Sequence, residues 1–294
     1  MRIKKTGVCE KGSKKKGIGN ILLAGLFIVA AMNTRPLEVK AATAYMDQES
    51  NDSFAEAQFI ARNSMSAANT VSGNTTGYKY VTGNLTGRED EDWYWLMLSP
   101  EFDSYLTIDN ATGTINIDIL NEEQTVLDTI SYNGVSGAEN IFNLEIEDDG
   151  FYYFRLYHDD STTVSYRFMV GNPEYHLDSY THLFGRQTLP AKGTWEDVVD
   201  LRTVSVIPRG AIGYRITVSG CSTTVCSKRY FSRESSSGWA ATNTTYMKDL
   251  PVVDASLLAQ KWGVRYISAS KSNEVFTPQF KIDYVYPDLP ANER

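Results

Sequence analysis

Seven side chains with oxygen donors stand in two short stretches of this chain. Asp47, Glu49, Asn51 and Asp52 fall within six positions, and Glu89, Asp90 and Asp92 come just ahead of an apolar run. Carboxylates gathered this closely repel one another unless water or a hard cation screens them. Calcium takes about six to eight oxygen ligands in flexible geometry, and a set of this kind supplies them. Two readings therefore stand side by side. Either the stretches fold together around a divalent ion, or Asn51 and Asp52 cap a helix while Asp90 and Asp92 make a solvated turn.

Bond-breaking chemistry has less to work with. The chain contains no His-Glu-x-x-His, no Gly-x-Ser-x-Gly, no phosphate-binding glycine loop and no dinucleotide fingerprint. Of its three histidines, His158 sits in an Asp159-Asp160 turn and reads as a solvated loop residue. His176 and His182 are six apart, which matches no common zinc spacing. Convergent carboxylates of the glycosidase kind need no local motif and stay open. The expectation is a protein that is not an enzyme.

Charge narrows the partners. The chain carries 28 basic and 36 acidic side chains, a formal charge of −8. Its first 44 residues hold nine basic and two acidic ones, so the remaining 250 carry −15. A body this acidic repels phosphate backbones and anionic membrane surfaces, so no nucleic-acid partner is expected.

Residues 1–44 read as an export signal. They have a lysine-rich start, an apolar run from Ile21 to Met32, and small residues around Val39-Lys40-Ala41 and Ala42-Thr43-Ala44. Cleavage is expected after Ala41 or Ala44. The apolar run is nearer a dozen residues than the roughly 20 that span a bilayer, so no membrane insertion is expected after cleavage. Cys9 lies ahead of that run. The expected location is secreted, or loosely associated with the cell surface. The stretch from Leu289 to Glu293 reads as a frayed tail.

From Tyr78 onward, period-two alternation in short runs predicts half-buried antiparallel strands. Eight come first: Tyr78 to Leu85, Trp93 to Leu98, Tyr105 to Asp109, Thr114 to Leu120, Thr125 to Tyr132, Asn140 to Ile146, Phe151 to Tyr157 and Val164 to Val170. Strands at this spacing imply a β-sandwich or jelly roll. One short helix is expected from Asn51-Asp52-Ser53 through Phe54, Ala57 and Ile60.

The pattern pauses at Gly171-Asn172-Pro173, which predicts a boundary. A second all-β domain is expected over 172–294, with strands at Val199 to Ile207, Ala211 to Ser219, Arg229 to Arg233, Trp262 to Ser268 and Phe280 to Tyr286, and a helical turn within Ala255 to Lys261. No internal repeat relates the two blocks. The fold class is all-β, a jelly-roll sandwich followed by a second β-sandwich-like domain. Cys221 and Cys226 flank Ser222-Thr223-Thr224-Val225 between two alternating runs, and they predict a hairpin closed by a disulfide.

A family resemblance rests on four segments in order: Glu49-Ser50-Asn51-Asp52-Ser53-Phe54-Ala55-Glu56-Ala57, Val81-Thr82-Gly83-Asn84-Leu85, Asp90-Glu91-Asp92-Trp93-Tyr94 and Asp149-Gly150-Phe151-Tyr152-Tyr153. That order resembles the bacterial pre-peptidase C-terminal domain, a small jelly roll appended to many secreted proteases and related to the collagen-binding domains of clostridial collagenases. It covers about residues 45–171; the second half is not recognised. Ser50 departs from the pattern, standing where the family often has proline. The resemblance implies structural calcium held by Glu49, Asn51, Asp52, Asp90 and Asp92, with Asp47 at a position where an acid is usual.

Aromatic side chains number 35 of 294 residues. Most alternate inward, while Trp93, Trp95, Tyr153 and Tyr157 fall on the opposite faces of their strands and predict a ligand platform. Together these readings describe a secreted, non-catalytic binding or adhesion protein. Its expected partner is an extracellular polymer, protein or polysaccharide. The alternatives are a carbohydrate-binding protein, an accessory subunit of a secreted enzyme, and a hydrolase with its site in residues 173–294.

Overall fold

A computed structural model of the chain describes residues 43–109, 113–134 and 139–293. The expected export signal lies outside the described residues except for Thr43 and Ala44, which open the first strand.

The eight alternating runs become eight strands: β3 (Lys79–Leu85), β4 (Glu91–Leu98), β5 (Ser104–Asp109), β6 (Thr114–Leu120), β7 (Val126–Asn133), β8 (Ile141–Leu144), β9 (Gly150–Tyr157) and β10 (Val164–Gly171). Two shorter strands, β1 (Thr43–Met46) and β2 (Gln58–Phe59), pair parallel to β3 and β4. The sheets run β1-β3-β10-β5-β8 and β2-β4-β9-β6-β7. Without β1 and β2, this is the strand order of an eight-stranded jelly roll. Each strand turns its apolar set inward, and Val81, Leu85, Tyr94, Leu106, Ile117, Phe154 and Phe168 are wholly buried between the sheets.

The helix expected over Asn51 to Ile60 is replaced by a single 3-10 turn, Phe54–Glu56. Ser53 makes no capping bond to the backbone and instead donates to Glu56 Oε2 at 2.8 Å. Ala57 is extended, so the chain passes directly into β2. The one α-helix among the described residues, α1 (Ala67–Ser72), is short; Ser66 accepts from the Asn69 amide, and Gly73 closes it in the left-handed conformation.

Beyond Gly171 come ten more strands: β11 (Tyr175–Leu183), β12 (Gln187–Leu189), β13 (Thr194–Asp200), β14 (Ile212–Ser219), β15 (Cys226–Arg233), β16 (Ser236–Ala241), β17 (Met247–Asp249), β18 (Lys261–Ser268), β19 (Glu274–Phe276) and β20 (Gln279–Pro287). Their main sheets run β11-β20-β14-β17 and β13-β18-β15-β16, and β12 pairs with β19. Setting β12 and β19 aside, the connectivity is that of the first sandwich, strand for strand. The chain is thus two jelly rolls in tandem, although no repeat is visible in its sequence. A second core, around Ile216, Trp262, Val264, Tyr266, Phe280 and Ile282, shares no residue with the first.

Three expectations for the second half need correction. The strand expected over Val199 to Ile207 ends at Asp200, where the side chain accepts from the Arg202 amide and starts a 3-10 turn. The Leu289 to Glu293 stretch is tied down. Glu293 accepts from Tyr105 Oη at 3.2 Å and from Asn143 Nδ2 at 3.0 Å, and Ala291 donates its amide to Glu139.

The third correction concerns Cys221 and Cys226, which are free thiols and not the expected disulfide. Strands β14 and β15 belong to different sheets, so the segment between them is a corner and not a hairpin. Val225 and Cys226 both donate to the Ser222 carbonyl in that corner, and Cys226 pairs with Ser268 across the sheet. The Cys226 thiol lies 3.3 Å from the Lys228 carbonyl.

Candidate functional site

The N-terminal segment is fastened to the rim of the first sandwich before it reaches the acidic residues. Asp47 extends the β1 pairing by donating its amide to Thr82 O. Gln58 then staples the turn, accepting from the Gln48 amide at 2.9 Å and donating to Met46 O at 3.1 Å. Ser50 has φ +73°, a left-handed conformation that proline cannot adopt. The turn at Ser50 is therefore built on a sign of φ that excludes proline at this position.

That turn brings the two acidic stretches together. Glu49, Asp52 and Asp90 each place a carboxylate oxygen within 4.8 Å of the others. Asp90 is oriented by the hydroxyl of Thr86, which donates to its Oδ2 at 2.7 Å. Partial desolvation, followed by repulsion from Asp47, Asp90 and Asp52, raises the pKa of Glu49; Asp52 is raised in the same way, with Asp90 its strongest neighbour. Glu89 is exposed and lies outside the triad.

In the same two segments, Asn51 and Asp92 are buried. Asn51 is 1% exposed; its Nδ2 donates to Asp47 Oδ1 at 3.1 Å and its carbonyl accepts from the Trp93 amide at 3.0 Å. Its Oδ1 is buried without a partner. Asp92 is fully buried, and its Oδ1 likewise has no partner. Unpaired buried acceptors of this kind are costly, each about 1–3 kcal/mol.

The other oxygen of Asp92 ends a file of four. Asp47 Oδ1 accepts from Tyr94 Oη at 2.7 Å, Tyr94 Oη lies 2.5 Å from Tyr166 Oη, and Tyr166 Oη lies 2.5 Å from Asp92 Oδ2. The Tyr94 hydroxyl donates to Asp47 and the Tyr166 hydroxyl donates to Asp92. Burial pushes the pKa of Asp92 up to about 8, against the Tyr166 hydrogen bond, which lowers it. Burial also raises both tyrosines far above their ordinary range.

Gly83 makes room for this file. A Cβ at that position would lie 2.4 Å from Tyr166 Oη and 3.1 Å from Asp47 Cβ. The glycine of the Val81-Thr82-Gly83-Asn84-Leu85 segment is therefore part of the site, a role its sequence context alone does not reveal.

Of the six residues expected to hold a metal, Glu49, Asp52 and Asp90 bring their carboxylate oxygens together, while Asp47, Asn51 and Asp92 fall outside that group and are held by the hydrogen bonds given above. The four aromatic residues do not behave as one platform. Trp93 is 9% exposed, covered by the edge of Phe54 at 6.0 Å and flanked by the Arg155 guanidinium. Tyr153 lies against Phe54 at 4.1 Å, and Tyr157 is under Arg155 at 4.6 Å. Trp95 keeps an open side, with Phe59 at 4.9 Å and Phe151 at 5.3 Å. Phe59, Met97 and Phe151 are 53%, 60% and 41% exposed. The signal for Met97 and Phe151 lies in the same period-two alternation that places Trp95 and Tyr153 outward.

The histidines are dispersed. His158 is buried, not solvated, and neither ring nitrogen has a partner. His176 and His182 share β11 and, at about 3.3 Å per residue, are roughly 20 Å apart.

No family model matches the chain, and no curated protein matches it. Among solved structures it is similar to a protein from Eubacterium rectale described as secreted, at 13% identity over 74% of this chain and 76% of that one, with a TM-score of 0.46. It is also similar to the major capsid protein P2 of bacteriophage PM2, at 13% identity over 73% of this chain and all of that one, with a TM-score of 0.25. The PBSX exported protein XepA matches at 12% identity over 70% of this chain and 84% of that one, with a TM-score of 0.22.

Proposed function

We propose that this chain is an exported, non-catalytic binding protein whose first jelly roll, of the pre-peptidase C-terminal kind, is stabilised by calcium and holds an extracellular polymer on its outer aromatic face. The observation that carries the metal is the meeting of the Glu49, Asp52 and Asp90 carboxylates, with two buried acceptors without partners, Asn51 Oδ1 and Asp92 Oδ1, in the same two segments. An oxygen-rich set with orphaned buried members fits a hard cation, and a millimolar extracellular calcium supply suits a site of modest affinity. Glu49, Asp52 and Asp90 would hold the ion, and Asn51 and Asp92 would add buried donors. Calcium would supply structure and not chemistry, docking the Asp47 to Ser53 turn onto the sandwich.

The polymer-binding part rests on Trp95 and its exposed neighbours, since open aromatic rows on a rigid sheet suit extended ligands. Calcium titration by calorimetry, combined with proteolysis of the Tyr45 to Thr70 segment, tests the first part. Heat of binding together with protection of that segment is expected; unchanged melting and cleavage in millimolar calcium would overturn it. Pull-down on insoluble polysaccharides and on collagen tests the second part, with binding to neither as the outcome that overturns it.

A further inference from the structure

The exposed aromatic row lies between two acidic grooves. On one side, Phe59 and Trp95 line a groove of about 670 Å³ together with Glu56 and with Glu49, the latter assigned above to the calcium ion. On the other, Phe151 borders a groove lined by Glu122, Glu123, Glu147, Asp148 and Asp149. The link is continuous: Glu122 accepts from the Phe151 amide at 3.1 Å, Phe151 meets Trp95, and Trp95 meets Phe59. Among the described residues, no lysine or arginine lines either groove. In the whole sheet β2-β4-β9-β6-β7 the single basic residue is Arg155, and Glu91 and Asp118 neutralise it.

Resting on the polymer-binding reading, we infer that this face takes an extended basic peptide segment of a protein partner, its lysine or arginine side chains reaching the two acidic grooves and crossing the Phe59, Trp95 and Phe151 rings. Charge complementarity selects this occupant. Anionic glycans and phosphate polymers meet only like charge here, and a neutral glycan would leave the acidic rims unused. Aromatic faces attract ammonium and guanidinium groups, so the rings and the acids act on the same side chains.

The test uses the mature chain in constant calcium with three probes: a fluorescein-labelled peptide of about a dozen alternating lysines and serines, the same peptide with glutamate for lysine, and cellohexaose. The lysine peptide is expected to bind, with affinity falling about tenfold or more when salt rises a few-fold above about 50 mM. Phe59→Ser with Phe151→Ser, both at exposed positions, should lower affinity about tenfold, and Glu56→Gln with Glu122→Gln several-fold. Glu101→Gln with Asp254→Asn makes the same change in net charge elsewhere and should leave affinity within about twofold.

Equal losses from the two charge pairs would mean a non-specific field and would overturn the inference, as would aromatic variants without effect. Cellohexaose binding that depends on Phe59 and Phe151, without binding of the lysine peptide, would sink the basic partner while leaving the polymer-binding reading standing. Failure of every probe at millimolar concentration would count against both.

Discussion

The hydroxyl oxygens of Tyr94 and Tyr166, one from each sheet of the first jelly roll, lie 2.5 Å apart in the core and join Asp47 to Asp92. The acidic surface is therefore wired into the sandwich interior, and the stability of the fold and the state of the surface site are coupled.

Removing one member of the file should show this coupling. Tyr166→Phe leaves Asp92 and Tyr94 without their shared partner, and a loss of about 1–3 kcal/mol is expected in urea unfolding. Gly83→Ala pushes a methyl against the same hydroxyl and should cost a similar amount, about 1–3 kcal/mol. Calcium affinity should fall in both variants; a variant as stable as the parent would show that the file carries no energy.

A ligand that binds only the folded chain raises stability by mass action, about 2.7 kcal/mol at a hundred times its dissociation constant. Millimolar calcium is expected to raise the melting temperature of the parent protein but not of Glu49→Gln/Asp90→Asn, measured by scanning calorimetry with chelator as the reference.

Ser50→Pro tests the hand of the turn. Because Ser50 sits at φ +73°, the substitution should expel the turn from its place and weaken calcium binding at least about tenfold, while the sandwich itself stays folded. Tighter binding in this variant would show that the turn adopts the other hand in solution.

His176 and Asp288 tie the start of β11 to the segment after β20, with Nε2 and Oδ2 3.8 Å apart. The Asp288 carboxylate raises the His176 pKa above its usual 6.5, against an opposing effect of burial. A histidine with a raised folded value stabilises fully below the unfolded value, and that contribution disappears as pH climbs through the folded one. Half-exposed, the pair is worth less than about 1 kcal/mol. The parent should lose this small increment as pH rises from 6.5 through the raised folded value, and His176→Gln should not, in parallel urea titrations.

Cys226 is buried, and burial followed by repulsion from Cys226 raises the Cys221 thiol to about 11. Thiolates being the reactive species, both should alkylate slowly at neutral pH in the native protein. Denatured chain freed of its leader should titrate two thiols, and chain retaining Cys9 should titrate three. No titratable thiol in the mature protein would show that the corner closes as a disulfide after all.

Alternation by itself determined the eight strands of the first jelly roll, because each strand buries one face and period two records that directly. The acidic set was legible for a similar reason: its members are close in sequence within each stretch, and only their meeting had to be supplied. Tertiary structure decided what depends on partners distant along the chain. Phe54, expected in a helix, became a cover over Trp93 and Tyr153 and left Trp95 as the open ring. Gly83 became the space for Tyr166. A second β-sandwich-like domain was legible, but its jelly-roll strand order was hidden because β11, β16 and β17 are mostly exposed and carry little alternation. The corner at Cys221 and Cys226 looked like a hairpin because a local pattern cannot tell whether the next strand pairs with its neighbour or crosses to the facing sheet, a choice made by the two apolar faces that must close on each other.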